Sequence, residues 1–114
     1  MSLGPAETVA QAENDGGRYY LGSIDTTCSL SNYIGPASQI SSVRVAIRLK
    51  QRVDNVDLYT TLIPAHTVTG GQTIPVSISQ IRGAYGIDTG EIEVYNAETN
   101  EVIESYTISF FPVE

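Results

Sequence analysis

From Val43 to Val53 the chain alternates with almost no exception: Val43, Val45, Ile47, Leu49 and Val53 fall on one side of an extended backbone, and Arg44, Arg48, Lys50 and Arg52 on the other. A period of two marks a strand with one buried and one wet face. Slipping the register by one residue would drive four cations into the core and the aliphatic side chains out of it, so the face that leaves water is fixed. The segment predicts a half-buried β-strand that carries a basic stripe.

Other strand-like runs recur at short intervals. They cover Tyr19 to Ile24, Thr26 to Ser31, Val56 to Ile63, Thr73 to Ile78, Glu91 to Asn96 and Val102 to Phe111, which with Arg44 to Arg52 makes seven. Gly35-Pro36, Asp54-Asn55, Gly70-Gly71 and Gly83 separate them and supply turn dihedrals. No segment shows apolar spacing at three and four residues beyond a turn or two, which excludes helical folds and βαβ units. Residues 1–17 hold few large apolar groups, and we read them as a flexible tail before one domain over 18–114. A chain of 114 residues buries roughly two thirds of its unfolded surface, enough for a single core. Cys28 is the only cysteine, so that core is expected without a disulfide.

Two local readings concern strand neighbours. Ile92 and Val94 should face inward opposite Tyr106, Ile108 and Phe110, across a loop from Ala97 to Asn100 in which Asn100 tolerates a left-handed backbone. Pro75 lacks a ladder donor, so its strand either lies at a sheet edge or starts at that residue, and an edge there offers a route to homo-oligomers.

The run Ile74, Val76, Ile78 followed by Asp88-Thr89-Gly90-Glu91-Ile92-Glu93-Val94 resembles strands E and F of an immunoglobulin-like domain. Thr26-Thr27-Cys28-Ser29-Leu30-Ser31 resembles strand B, and Arg44 to Arg52 sits where strand C would follow. The resemblance covers residues 24–111. Ile92 stands at the tyrosine position and Val94 at the cysteine position, strand C has no tryptophan, and Gly83-Ala84-Tyr85-Gly86 lengthens the E to F connection, where Tyr85 is a candidate for the tyrosine corner. It implies an all-β, two-sheet antiparallel sandwich whose work is binding, adhesion or spacing.

Candidate chemistry is sparse. Asp88-Thr89-Gly90 resembles the aspartic protease triplet, but Glu91 follows it and 24 residues remain after Gly90, too few for a flap; a turn explains it better. His66, the only histidine, reads as a loop residue, and Cys28 as a small buried hydrophobe. One histidine and one cysteine cannot build a zinc site, whereas Asp54, Asn55 and Asp57 could offer oxygens to calcium; turn closure is the simpler account. Neither a cofactor nor a metal is expected.

The stripe of Arg44, Arg48, Lys50 and Arg52 could grip a polyanion or a protein partner. With 13 acids against 6 bases, however, the net charge of -7 repels nucleic acid, and no aromatic residues interleave the cations to stack bases. Pairing with Glu91, Glu93, Glu101 and Glu104 on neighbouring strands is the structural alternative. Tyr59 and Tyr95 should point outward beside Asp57, Thr61, Glu91 and Glu93, a set that could hold a sugar. No apolar run is long enough to cross a bilayer as a helix; Ala10-Gln11-Ala12 has the form of a signal cleavage site, although a polar alanine-rich tail is the simpler account, and localisation stays open with a slight tilt toward export or the cell surface. The resulting expectation is a non-catalytic immunoglobulin-like sandwich that recognises another protein, with carbohydrate or calcium binding as the alternative and a dimeric aspartic-type protease as the remote one.

Overall fold

The computed structural model describes residues 19–35, 39–70 and 73–113. The tail expected over residues 1–17, with its Ala10-Gln11-Ala12 site, and Pro36 and Gly71 of the expected turns lie outside the described residues. Seven strands follow in order: β1 Tyr19–Ser29, β2 Ser42–Val53, β3 Val56–Thr69, β4 Thr73–Gly83, β5 Thr89–Asn96, β6 Val102–Ser109 and β7 Phe111–Val113. They form two antiparallel sheets, one ordered β4-β1-β7 and the other β3-β2-β5-β6, and no helix appears among the described residues. The architecture is all-β, with two layers closed over one apolar cluster.

The alternation in β2 builds that cluster. Val43, Val45, Ile47 and Leu49 are buried and meet Ile92 and Val94 of β5, Ile74, Val76 and Ile81 of β4, Cys28 of β1 and Ile108 of β6. The inward parity of β2 continues to Gln51, which is 1% exposed. Both polar atoms of its amide are engaged: Nε2 donates to the Thr89 carbonyl at 3.1 Å and Oε1 accepts from the Ala84 amide at 2.7 Å. Gln51 thereby ties both ends of the β4–β5 connection to the central strand, which meets the cost of burying its polar head.

Several expected boundaries move. The first two expected strands are one, because Asp25 occupies an exposed position between the inward-facing Ile24 and Thr26 and needs no turn. Strand β4 lies at a sheet edge, one of the two placements Pro75 allows, but runs on to Gly83. Ser79 and Gln80 together oppose Ser23, with Gln80 at φ 54°, so a bulge flips the parity and turns Ile81 inward in succession to Ile78. His66 sits on strand β3 rather than in a loop, exposed, with Nδ1 3.1 Å from the Pro64 carbonyl oxygen.

The last expected strand is split. At Phe110 the chain leaves β6 in one sheet and enters β7 in the other, with the Phe110 amide donating to the Asp88 carbonyl at 2.8 Å. The Phe110 ring fills the corner because three strands present no side chain to it. A Cβ at Gly83 would lie 2.8 Å from two ring carbons, at Gly22 3.0 Å and at Gly90 3.1 Å from another. Gly83 is thus a strand residue required by close approach rather than a turn residue, and Gly90 serves the same end without a left-handed φ.

Two connections follow their sequence signals. Asp54 and Asn55 take φ of 52° and 64° in the tight β2–β3 turn. Asn100 takes φ 65° in the β5–β6 loop, where Asn96 Oδ1 accepts from the amides of Glu98 and Thr99. Among the described residues no helix is long and apolar enough to cross a membrane.

Candidate functional site

The outer face of the four-stranded sheet collects the charged and aromatic residues. The outward parity of β2 presents Arg44, Arg48, Lys50 and Arg52; β3 adds Asp57 and Tyr59, and β5 adds Glu91, Glu93 and Tyr95. Arg48 stands directly opposite Glu93 in the ladder, and its Nε donates to Glu93 Oε1 at 2.9 Å. Both side chains are largely withdrawn from water, at 17% and 8% exposure. A charge-assisted hydrogen bond in such a setting contributes about 1.5 to 3 kcal/mol.

The two tyrosines reach Arg48 from diagonal positions. Tyr59 is paired with Lys50 and Tyr95 with Ala46, two residues to either side of Arg48 along β2. Both rings lean inward, and the guanidinium carbon sits 4.3 Å from the Tyr59 centroid and 4.1 Å from that of Tyr95. The cation is clamped between two π faces, each worth about 0.5 to 1 kcal/mol at an exposed site and more where water is excluded. Ala46 makes room: its outward methyl group is 2% exposed beside Tyr95.

The expected residues are therefore brought together in part. Arg48, Glu93, Tyr59 and Tyr95 form one cluster. Arg52 pairs with Asp57 rather than with a glutamate, at 3.1 Å. Glu91 accepts from the Ser105 hydroxyl at 2.9 Å and forms no ion pair with Lys50, its ladder partner. Arg44 donates to the Ala65 carbonyl at 3.4 Å. Glu101 and Glu104, expected as cross-strand partners of the stripe, pair with none of its cations: Glu104 is on β6, which β5 separates from β2, and Glu101 is in the β5–β6 loop. An open cleft of about 320 Å³ lies at the β2–β3 turn end of this face, lined by Lys50, Arg52, Asp57, Thr89, Glu91 and Thr107.

The sugar platform expected of Tyr59 and Tyr95 is altered by the same geometry. The space between the rings holds the Arg48 side chain, which leaves only their outer sides for contact. Asp57 of the expected calcium loop is engaged by Arg52, and no cluster of three metal-ligating side chains occurs among the described residues. Asp88 lies in the β4–β5 connection. Tyr85, the candidate for the tyrosine corner, packs edge to face on Tyr20 with centroids 5.8 Å apart.

Two titratable groups are displaced on the inner side. Burial pushes the Tyr106 hydroxyl up to about 12, helped by the neighbouring Cys28 and Glu104. Burial likewise raises the Cys28 thiol, with Tyr106 acting in the opposite direction. The Tyr106 hydroxyl donates to the Thr27 carbonyl at 3.2 Å, a link from β6 to β1 across the layers.

Sequence reasoning missed Gln51 and Ala46, although parity along β2 points to both: one is polar on the inward side, the other small on the outward side. Comparison of the chain with protein-family models, with curated proteins and with solved structures finds no match.

Proposed function

We propose that this protein is a non-catalytic recognition module of immunoglobulin-like topology that binds a protein partner through the outer face of its four-stranded sheet. The topology is supported by strand order: with β1 as B, β2 as C, β3 as C′, β4 as E, β5 as F and β6 as G, the sheets read E-B and C′-C-F-G, and β7 takes the place of strand A. The fold alone carries no function.

The observation that carries the functional reading is the Tyr59–Arg48–Tyr95 stack anchored by Glu93. Tyrosine and arginine dominate binding hot spots because they offer large contact area and planar donors. Here the arginine is already immobilised, so little side-chain entropy remains to be lost on association. Tyr59 is 51% exposed and ready for contact.

The test places a photoreactive group at position 59 and, separately, at Ser77 on the opposite sheet, in the cells that natively make the chain. The reading expects one crosslinked protein from position 59, competed by the unlabelled protein and not by its Tyr59→Ser, Lys50→Glu variant. Equal labelling from both positions, or none from position 59, overturns it.

A further inference from the structure

We propose that the flank of β1 from Ser23 to Ser29 is a strand-acceptor site for an extended segment of a protein partner, one with alternate apolar residues and a lysine or arginine facing Asp25. The proposal is independent of the outer-face reading.

Strand β1 is lined by β4 along its length on one side, from Tyr20↔Gly83 to Ser29↔Thr73. On the other side β7 covers only Tyr19 to Leu21, and among the described residues no strand continues past it. The two prolines set the phase of the free groups. Pro75 stands opposite Thr27 and Pro112 opposite Tyr20, from β4 and β7 respectively. A proline has no N–H and occupies a position that does not bond toward its neighbour. Odd-numbered residues of β1 therefore direct N–H and C=O away from β4, and even-numbered ones toward it. Ser23, Asp25, Thr27 and Ser29 present their backbone groups to the open flank. The Tyr106 hydroxyl confirms the phase, because it donates to the Thr27 carbonyl as the N–H of an adjacent strand would.

Three of the four strands at the sheet margins are blunted by proline, and neither β6 nor this flank is. Strand β3 carries Pro64, β4 carries Pro75 and β7 carries Pro112, whereas the flank has no proline and Asp25 as its one charge. The side chains beneath it are incompletely covered: Ile24, Thr26 and Tyr106 face inward and are only half-buried. An added strand would lay its inward residues over Ile24 and Tyr106, which asks for apolar groups at alternate positions. Its outward residues would adjoin Ser23, Asp25, Thr27 and Ser29. In a chain of net charge -7, Asp25 there favours a cation on the partner.

The experiment titrates the full ¹⁵N-labelled chain with a synthetic peptide that alternates valine with threonine and has one lysine among its outward residues. Saturable shifts are expected at the amides of Ser23, Asp25, Thr27 and Ser29. Tyr106→Phe, which frees the Thr27 carbonyl, should tighten binding about fivefold. Asp25→Lys, an exposed change that spares the fold, should reverse the preference from the lysine peptide to its glutamate counterpart, while Tyr59→Ala leaves the titration unchanged. Shifts centred on β3 or β6, no saturable shift at the four amides, or an unchanged preference in Asp25→Lys overturns the proposal.

Discussion

The two outer faces of this sandwich share a core and differ in almost everything else. Away from β7, the outward residues of the three-stranded sheet are Ser23, Asp25, Thr27 and Ser29 from β1 and Thr73, Pro75, Ser77 and Ser79 from β4, small or polar with one charge among them; only at the β7 end do Leu21, Arg82 and Phe111 share the face. On the four-stranded sheet they include Arg48, Lys50, Arg52, Tyr59, Tyr95, Glu91 and Glu93, several locked to one another. Core packing demands nothing of outward positions beyond compatibility with a strand, so the contrast has another origin. One face holds charged and aromatic groups engaged with one another, and the other small polar groups along β1 and β4.

The largest expected effect strikes both faces at once. Phe110→Ala empties the corner where the chain passes between sheets, and should cost about 3 to 5 kcal/mol in a urea melt followed by circular dichroism. If the two layers then melted at separate midpoints, the common core would not be what joins them. Next comes Glu93→Ala, which leaves Arg48 clamped without its counter-ion and should cost about 2 to 3 kcal/mol by the same measurement. A loss under about 0.5 kcal/mol would reduce the cluster to a surface pair.

Smaller changes sharpen the contrast further. Tyr59→Ala removes one ring from Arg48 and should destabilise by about 1 kcal/mol, while Ser77→Ala on the opposite face should stay within about 0.5 kcal/mol. Equal losses would erase the distinction between the faces. The smallest effect is one of slope with pH. Tyr106 titrates near 12 in the folded chain against 10 when unfolded, so folding holds its proton; the stability it adds is complete below pH 10 and lost as pH rises through 12. Cys28 shifts in the same direction. Denaturant midpoints measured across that range should fall for the native chain and fall less for Tyr106→Phe.

Much of the fold was legible because alternation is a local signal. β2 could be read from its own residues, and so could the turns at Asp54-Asn55 and Asn100. The Arg48–Glu93 pair agreed with the reading of the stripe as a cross-strand partner, since β5 carries glutamates at outward parity. What the sequence concealed depends on register. Tyr59 reaches Arg48 because the Asp54-Asn55 turn sets Lys50 opposite Tyr59, but the pairing of Ala46 with Tyr95, which closes the clamp from a strand distant in sequence, is announced by no local pattern. Gly83 was legible as a glycine but not as one serving Phe110, because the reason lies across the core. Asp25 in β1 resembled a break since its type favours turns, whereas pairing with β4 keeps the strand continuous.

Tyr19, where β1 begins, is the ladder partner of Val113, where β7 ends, so the described chain enters and leaves at adjacent points. Tension applied through those two points would part β7 from β1 as a zipper opens, one rung after another, instead of loading all rungs together in shear. Such a joint yields at lower force than one whose rungs break together.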